Sequence, residues 1–258
     1  MTDTDAVTWA IDGHVATVTL DRPTHNHINL EVITALAVTL DALDNDERCR
    51  AVVVTTAGKV FCGGADLASP DGLLSGGEAG LAPFYAQAAR LFGTRKPIIA
   101  AVQGAAVGAG LGLALVADFR VAAPEARFAA NFVKLGFHAG FGITHTLPRV
   151  IGSQRAALML QTGRRIKTDE ALAWGLVDVV APGAELVAAA QALAAEIAEN
   201  APLAVEATRA TLRAGLVEAF RSQTRHELAQ QAQLMTTTDF AEGVRAVSER
   251  RVGTFTGR

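Results

Sequence analysis

The chain has 258 residues, half of them apolar, and 23 basic against 26 acidic side chains leave a formal charge of −3. That length buries a substantial core as one domain or one domain plus an extension, and the interspersed charges present no field or basic block that favours nucleic acid or a membrane surface. Two cysteines without a CxxC pair argue against zinc and a disulfide framework, the acidic start Met1-Thr2-Asp3-Thr4-Asp5 is unlike a signal peptide, and no uninterrupted apolar run nears the ~18 residues of a spanning helix, so a cytoplasmic protein is expected.

Val7–Ile11 and Val15–Leu20 are rich in β-formers and flank Asp12-Gly13, a hairpin signal, and Arg22-Pro23 ends the second strand. Asn29 is placed to cap a helix whose apolar positions Ile33, Leu36, Leu40 and Leu43 recur at helical spacing. Ala51–Thr55 reads as a buried strand. Residues 68–82 form a Ser/Gly-rich loop, and Pro83 opens a helix to Leu91. Pro97–Val102 is a second buried strand, Leu111–Val116 a helix and Phe119–Ala122 a further strand. Ser153 is expected to cap Gln154–Gln161, Thr168 to open a helix ending at Trp174-Gly175, and Val177–Val180 to be the last strand. The remainder is helical, with amphipathic stretches at Ala201–Gly215, Val217–Met235 and Asp239–Arg250. Helices lying beyond the last strand must bury an apolar face, either on a neighbouring subunit or back on their own core.

Two glycine-bearing turns follow the buried strands. One is Phe61-Cys62-Gly63-Gly64-Ala65-Asp66-Leu67, the other Gly104-Ala105-Ala106-Val107-Gly108-Ala109-Gly110. Glycine lets a backbone N–H approach a ligand with no Cβ in the way. Two such N–H groups make an oxyanion hole, and a helix opening at Gly108-Ala109-Gly110 adds positive potential. Taken alone, either turn equally serves close strand–helix packing.

These turns, with Gly13–Pro23, Lys96–Gly104, Ala117–Ala122, Leu147–Gly152, Thr162–Ile166 and Ala171–Val177 in the same order, resemble the enoyl-CoA hydratase/isomerase (crotonase) superfamily over nearly the whole chain. The resemblance implies an α/β fold, a crotonase-like spiral of repeated ββα units over residues 1–200. It implies a C-terminal helical oligomerisation region over 201–258 and assembly as a homotrimer or dimer of trimers. It also implies an acyl-CoA substrate, with coenzyme A carried as part of that substrate and no separate cofactor or metal. The thioester oxygen would sit between the N–H groups of Ala65 and Ala109, while Ala65, Asp66, Leu67 and Ala68 would line the path of the pantetheine and adenine.

Hydratases of this family carry two glutamates around the substrate double bond, and by position this chain has Gly112 and Phe132 there. Neither moves a proton, so the two-glutamate addition of water is not available. The stretch Gly136-Phe137-His138-Ala139-Gly140-Phe141-Gly142 is similar to one in dihydroxynaphthoyl-CoA synthases, in which an aspartate transfers the proton. His138 takes that aspartate's place, either as acid/base or as a group that only hydrogen-bonds its loop. His25 and His27 stand where relatives place a basic residue beside the CoA phosphates. Lys59, Arg95, Lys96 and the pair Arg250-Arg251 are further phosphate candidates. His145 reads as a packing residue and Asp66 as a turn-fixing carboxylate. Two functions follow: an acyl-CoA lyase or isomerase that stabilises a thioester enolate, or a noncatalytic acyl-CoA binding protein.

Overall fold

The computed structural model describes residues 6–67, 72–73 and 77–258. Asp12-Gly13 folds β1 (Val7–Asp12) antiparallel onto β2 (Val15–Leu20), with Gly13 at φ 57°. The Asn29 side chain accepts the Val32 N–H and caps α1 (Leu30–Asp44), as its position predicts. Then come β3 (Ala51–Thr56), α2 (Gly77–Phe92) and β4 (Ile98–Val102). Pro83 does not open α2; it lies inside the helix, where its missing N–H removes one i→i−4 bond.

The second glycine turn holds more structure than its glycines suggest. It contains β5 (Ala105–Val107) and the first residues of α3 (Ala109–Val116), and after β6 (Phe119–Ala122) comes β7 (Arg127–Ala129). Strands of three residues are too short to show a periodicity, so β5 and β7 have no signature in the sequence. Next are α4 (Ile143–Ile151), α5 (Ser153–Thr162), β8 (Arg165–Lys167), α6 (Thr168–Ala173), β9 (Val179–Val180) and α7 (Leu186–Ala198). Ser153 is the first residue of α5 and makes no cap bond, because Gly152 occupies the cap position. The Thr168 hydroxyl donates instead to the carbonyls of Ala123 and Ala126, tying α6 to the end of β6.

The strands form two sheets. The larger runs β1-β2-β3-β4-β6-β9, parallel from β2 onward, and the smaller runs β5-β7-β8. Successive passages of the chain lay one strand in each sheet and then a helix: β4-β5-α3, then β6-β7 and α4. Strands β3 and β4 are buried on both faces, as parallel central strands must be. Val52, Val54, Ala100 and Val102 point into the main core, and Ala51, Val53, Ile99 and Ala101 point to a second layer closed by Ala190, Ala194 and Ala198 of α7.

The C-terminal helices are α8 (Pro202–Leu212), α9 (Leu216–Leu234) and α10 (Thr238–Ser248). Helices α9 and α10 pack against elements of their own chain. Helix α9 packs on α2 and α4, and α10 covers the 3-10 turn at Asn131–Leu135. Helix α8 is tied down by Asp118, whose carboxylate accepts from Arg209 and Arg213, both at 2.8 Å. Its Leu203 and Leu212 stay 79 % and 73 % exposed.

Candidate active site

The two glycine turns meet. The Cys62 N–H donates to the Ala105 carbonyl at 2.9 Å, and the Val107 N–H returns to the Cys62 carbonyl at 3.0 Å. On the other edge of the first turn, Ile28 donates to the Gly64 carbonyl at 3.0 Å and Asp66 donates to the Ile28 carbonyl at 2.9 Å. Ala65 lies between these bonds, and among the described residues no acceptor takes its N–H. Ala109 is the first residue of α3, ahead of the first helical bond from Gly112 to the Gly108 carbonyl, so its N–H also has no partner there.

Two of the glycines are required by this approach. Gly64 sits at φ 110°, and a Cβ there would lie 3.0 Å from the Val107 oxygen and 3.9 Å from the Ala109 nitrogen. A Cβ on Gly110 would lie 2.2 Å from the Cys62 oxygen, a contact that would push the turns apart. The thiol of Cys62 is no nucleophile. It is fully buried, accepts the Gly64 N–H at 3.4 Å, and burial pushes it up to about 12.

A cavity of about 150 Å³ opens beside the turns. Ala65, Leu67 and Ala109 line it, while Asp66 does not. The Asp66 carboxylate pairs with Arg22 at 3.1 Å, and Arg22 also donates to the His27 carbonyl at 2.9 Å, so Asp66 fixes the loop. Ala68 lies outside the described residues. The far wall is apolar, built from Leu81 and Phe84 of α2, Phe132, Leu135, Phe137 and Phe141. Phe132 therefore shapes the cavity. Gly112 is walled off, because Phe141 fills its side-chain space and a Cβ there would lie 2.3 Å from that ring.

Of the two readings of His138, acid/base or a group that hydrogen-bonds its loop, the geometry matches the second. Its neighbours Phe137 and Gly140 line the cavity but its ring does not. Nδ1 lies 2.7 Å from the Ala139 carbonyl, which makes it the protonated nitrogen, and the ring meets His226 of α9 edge-on at 6.2 Å. His25 and His27 pack over Gly63 at the outside of the turn, where burial holds the His27 imidazole below its usual range. Lys96 is buried, with its ammonium on the carbonyls of Leu43 and Asp46, and Arg95 binds Asp44, so neither reaches the cavity. Arg251 is held by Glu242 and Glu249 of its own chain.

Tyr85 and Gln231 are the polar lining residues that sequence reasoning missed, on α2 and α9. The Tyr85 hydroxyl donates to Gln231 Oε1 at 2.8 Å, and Gln231 Nε2 donates to the His138 carbonyl at 3.0 Å. One turn before Gln231, the buried carboxyl of Glu227 accepts from the Gly142 and Thr144 N–H groups and the Thr144 hydroxyl, closing the start of α4. The available signal was that Glu227 and Gln231 share a helical stripe with Phe220 and Thr224, an apolar face interrupted by polar groups.

Burial outweighs these three donors and pushes Glu227 up from 4.5 to about 7. The folded state thus holds this proton more tightly than the unfolded chain, so stability falls as pH rises from about 4.5 through about 7. Relative to Glu227→Gln, whose offset does not vary with pH, the wild type is expected to lose roughly 3 kcal/mol across that window. Urea midpoints of both proteins at about pH 5, close to the lower limit, and at about pH 8, roughly one unit above the upper, check this. Parallel curves would refute it.

Among the described residues, no group of three His, Cys, Asp or Glu side chains stands close enough to hold a metal ion, and no helix is long and apolar enough to cross a membrane.

The family model for enoyl-CoA hydratase/isomerase matches residues 10–258. A Mycobacterium tuberculosis protein named "Probable enoyl-CoA hydratase EchA14" is 38 % identical over 258 residues, covering 97 % of this chain and all of that one. A carnitinyl-CoA dehydratase of Salmonella arizonae is 35 % identical, covering 93 % and 94 % of the two chains. The crystal structure of carnitinyl-CoA hydratase from Mycobacterium avium superposes with a TM-score of 0.86 at 33 % identity, covering 98 % and 99 %. The mixed α/β architecture with its C-terminal helices is accordingly the crotonase-like fold. With a match that runs almost end to end, the chain belongs to the enoyl-CoA hydratase/isomerase family.

Proposed function

We propose that this protein is an acyl-CoA lyase or isomerase that holds the thioester oxygen between the N–H groups of Ala65 and Ala109. The supporting observation is that these two donors, on separate segments locked together through Cys62, both border one cavity and have no acceptor among the described residues. Unpaired backbone donors bordering a cavity stabilise the charge that develops on an enolate oxygen, and they do so without reorganising during the reaction. The names of the relatives, hydratase and dehydratase, fit chemistry on a CoA thioester and favour an enzyme over a binding protein.

The lining also sets which reaction is slow. Tyr85 is the one titratable side chain among the described lining residues, and burial raises its phenol, so it carries its proton at neutral pH. With Gly112 and Phe132 at the glutamate positions, no described lining group takes a proton from water. A positioned acid or base contributes about 10²–10⁴-fold. Purified protein is therefore expected to bind crotonyl-CoA but to hydrate it at least about 10²-fold more slowly than a relative holding both glutamates. Loss of the enoyl absorbance, measured side by side with such a relative, tests this. Comparable rates would overturn the reading.

A further inference from the structure

Among the described residues that line the cavity, the polar side chains are Tyr85, Gln231 and Asn131. Tyr85 and Gln231 bond each other, and Gln231 is fully buried. Asn131 is different: it is half-buried, and its side-chain amide makes no hydrogen bond to any described residue. Backbone pairing decides where that amide goes. Strand β5 runs parallel to β7 with Val107 opposite Ala129, and the Gly108 N–H donates to the Ala129 carbonyl at 2.9 Å. Two residues beyond Ala129, Asn131 begins the 3-10 turn, which the Phe137 N–H closes onto the Phe132 carbonyl at 3.1 Å. The Asn131 side chain is thereby laid beside Gly108, its Oδ1 3.9 Å from the point where a Cβ on that glycine would stand. The next residue is Ala109, which carries one of the two proposed donors.

We infer that Asn131 is a third oxyanion donor, whose Nδ2–H joins the N–H groups of Ala65 and Ala109 on the thioester oxygen as that oxygen becomes an enolate. This rests on the acyl-CoA reading of the cavity given above. A primary amide without a partner has an open donor and an open acceptor, and its terminal torsion is broad, so the group it meets decides which one it presents. An oxyanion accepts only, and it draws the NH2. A neutral donor suits this wall, which Phe132, Leu135 and Phe137 make apolar. It carries no charge to be desolvated, and its bond strengthens as charge grows on the oxygen it faces. The Tyr85 hydroxyl does not compete for this role, because its proton is given to Gln231 Oε1.

Acetoacetyl-CoA tests this without an enzyme base, because its α-proton leaves to water and the enolate is read by its near-ultraviolet absorbance. The pH midpoint of enolate formation is measured for acetoacetyl-CoA free and bound to the full chain. Calorimetric affinity for butyryl-CoA, which presents the same thioester oxygen without the charge, is measured beside it. The wild type is expected to lower the midpoint. Asn131→Leu is expected to raise it again by about one unit, a roughly tenfold loss of enolate, with butyryl-CoA affinity held within about threefold. Asn131→Asp, which sets a negative charge beside the oxyanion, is expected to raise it further. An unchanged midpoint in Asn131→Leu, a lower one in Asn131→Asp, or loss of butyryl-CoA binding in step with the midpoint would overturn this inference and leave the acyl-CoA reading standing. No lowering of the midpoint by the wild type would overturn both.

Discussion

Ala109→Pro is expected to melt close to the wild type while losing about 100- to 1,000-fold in turnover of its CoA thioester, the usual loss for one oxyanion-hole donor. Position 109 allows this separation of effects because it is the first residue of α3. Proline is well suited to that position, where its fixed φ is already helical and the missing N–H has no helical partner. The preceding residue is Gly108 at φ 54°, ψ −121°, a conformation that glycine adopts without steric cost. The substitution therefore removes the proposed donor and little else. Ala109→Gly, which keeps the N–H, is expected to stay within a few-fold of wild type. Turnover of the best thioester substrate, with the thermal midpoint of each variant, decides the matter. Full turnover in Ala109→Pro would remove Ala109 from the mechanism.

Gly112→Glu, which would place a carboxylate where the resemblance implies a glutamate, is expected to destabilise the protein by at least about 2 kcal/mol and to add no hydratase activity. Position 112 is buried in α3, and its side-chain space is filled by Phe141, a ring that also meets Phe84 and Phe220 edge-on. Overpacking against a fixed ring and burying an unpaired carboxyl act in the same direction. In a Phe141→Ala background the added cost of Gly112→Glu is expected to shrink, because the space has been opened, although Phe141→Ala alone costs about 3–5 kcal/mol. Urea unfolding of the two single variants and the double variant gives the coupling directly. Additive losses would show that Phe141 is not what excludes a side chain at 112.

Both predictions concern positions legible in the sequence, and they show how far that legibility reached. The hairpin at Asp12-Gly13, the Asn29 cap and the buried strands β3 and β4 follow from local chemistry: a turn residue, a capping side chain, a run of β-formers. The two glycine turns were visible for the same reason, since glycine at a close backbone approach is a local requirement. Pro83 was read as a helix start and lies inside α2, where the helix tolerates one missing bond in return for packing against α9. The three-residue strands β5 and β7 carried no pattern and exist because neighbouring strands supply their hydrogen bonds.

The candidate site divides along the same line. The amino-acid sequence determined the family, the backbone positions proposed as donors, Ala65 and Ala109, and the non-acidic residues at 112 and 132, because each depends on which residue occupies a position in the chain. Only the tertiary structure decided what faces the cavity. It turned the His138 ring toward α9, filled the space beside Gly112 with Phe141, and brought Tyr85 and Gln231 together from helices 146 residues apart. Those outcomes depend on long-range packing of α9 against α2 and α4, whose amphipathic pattern shows that a face must be buried but not against which partner.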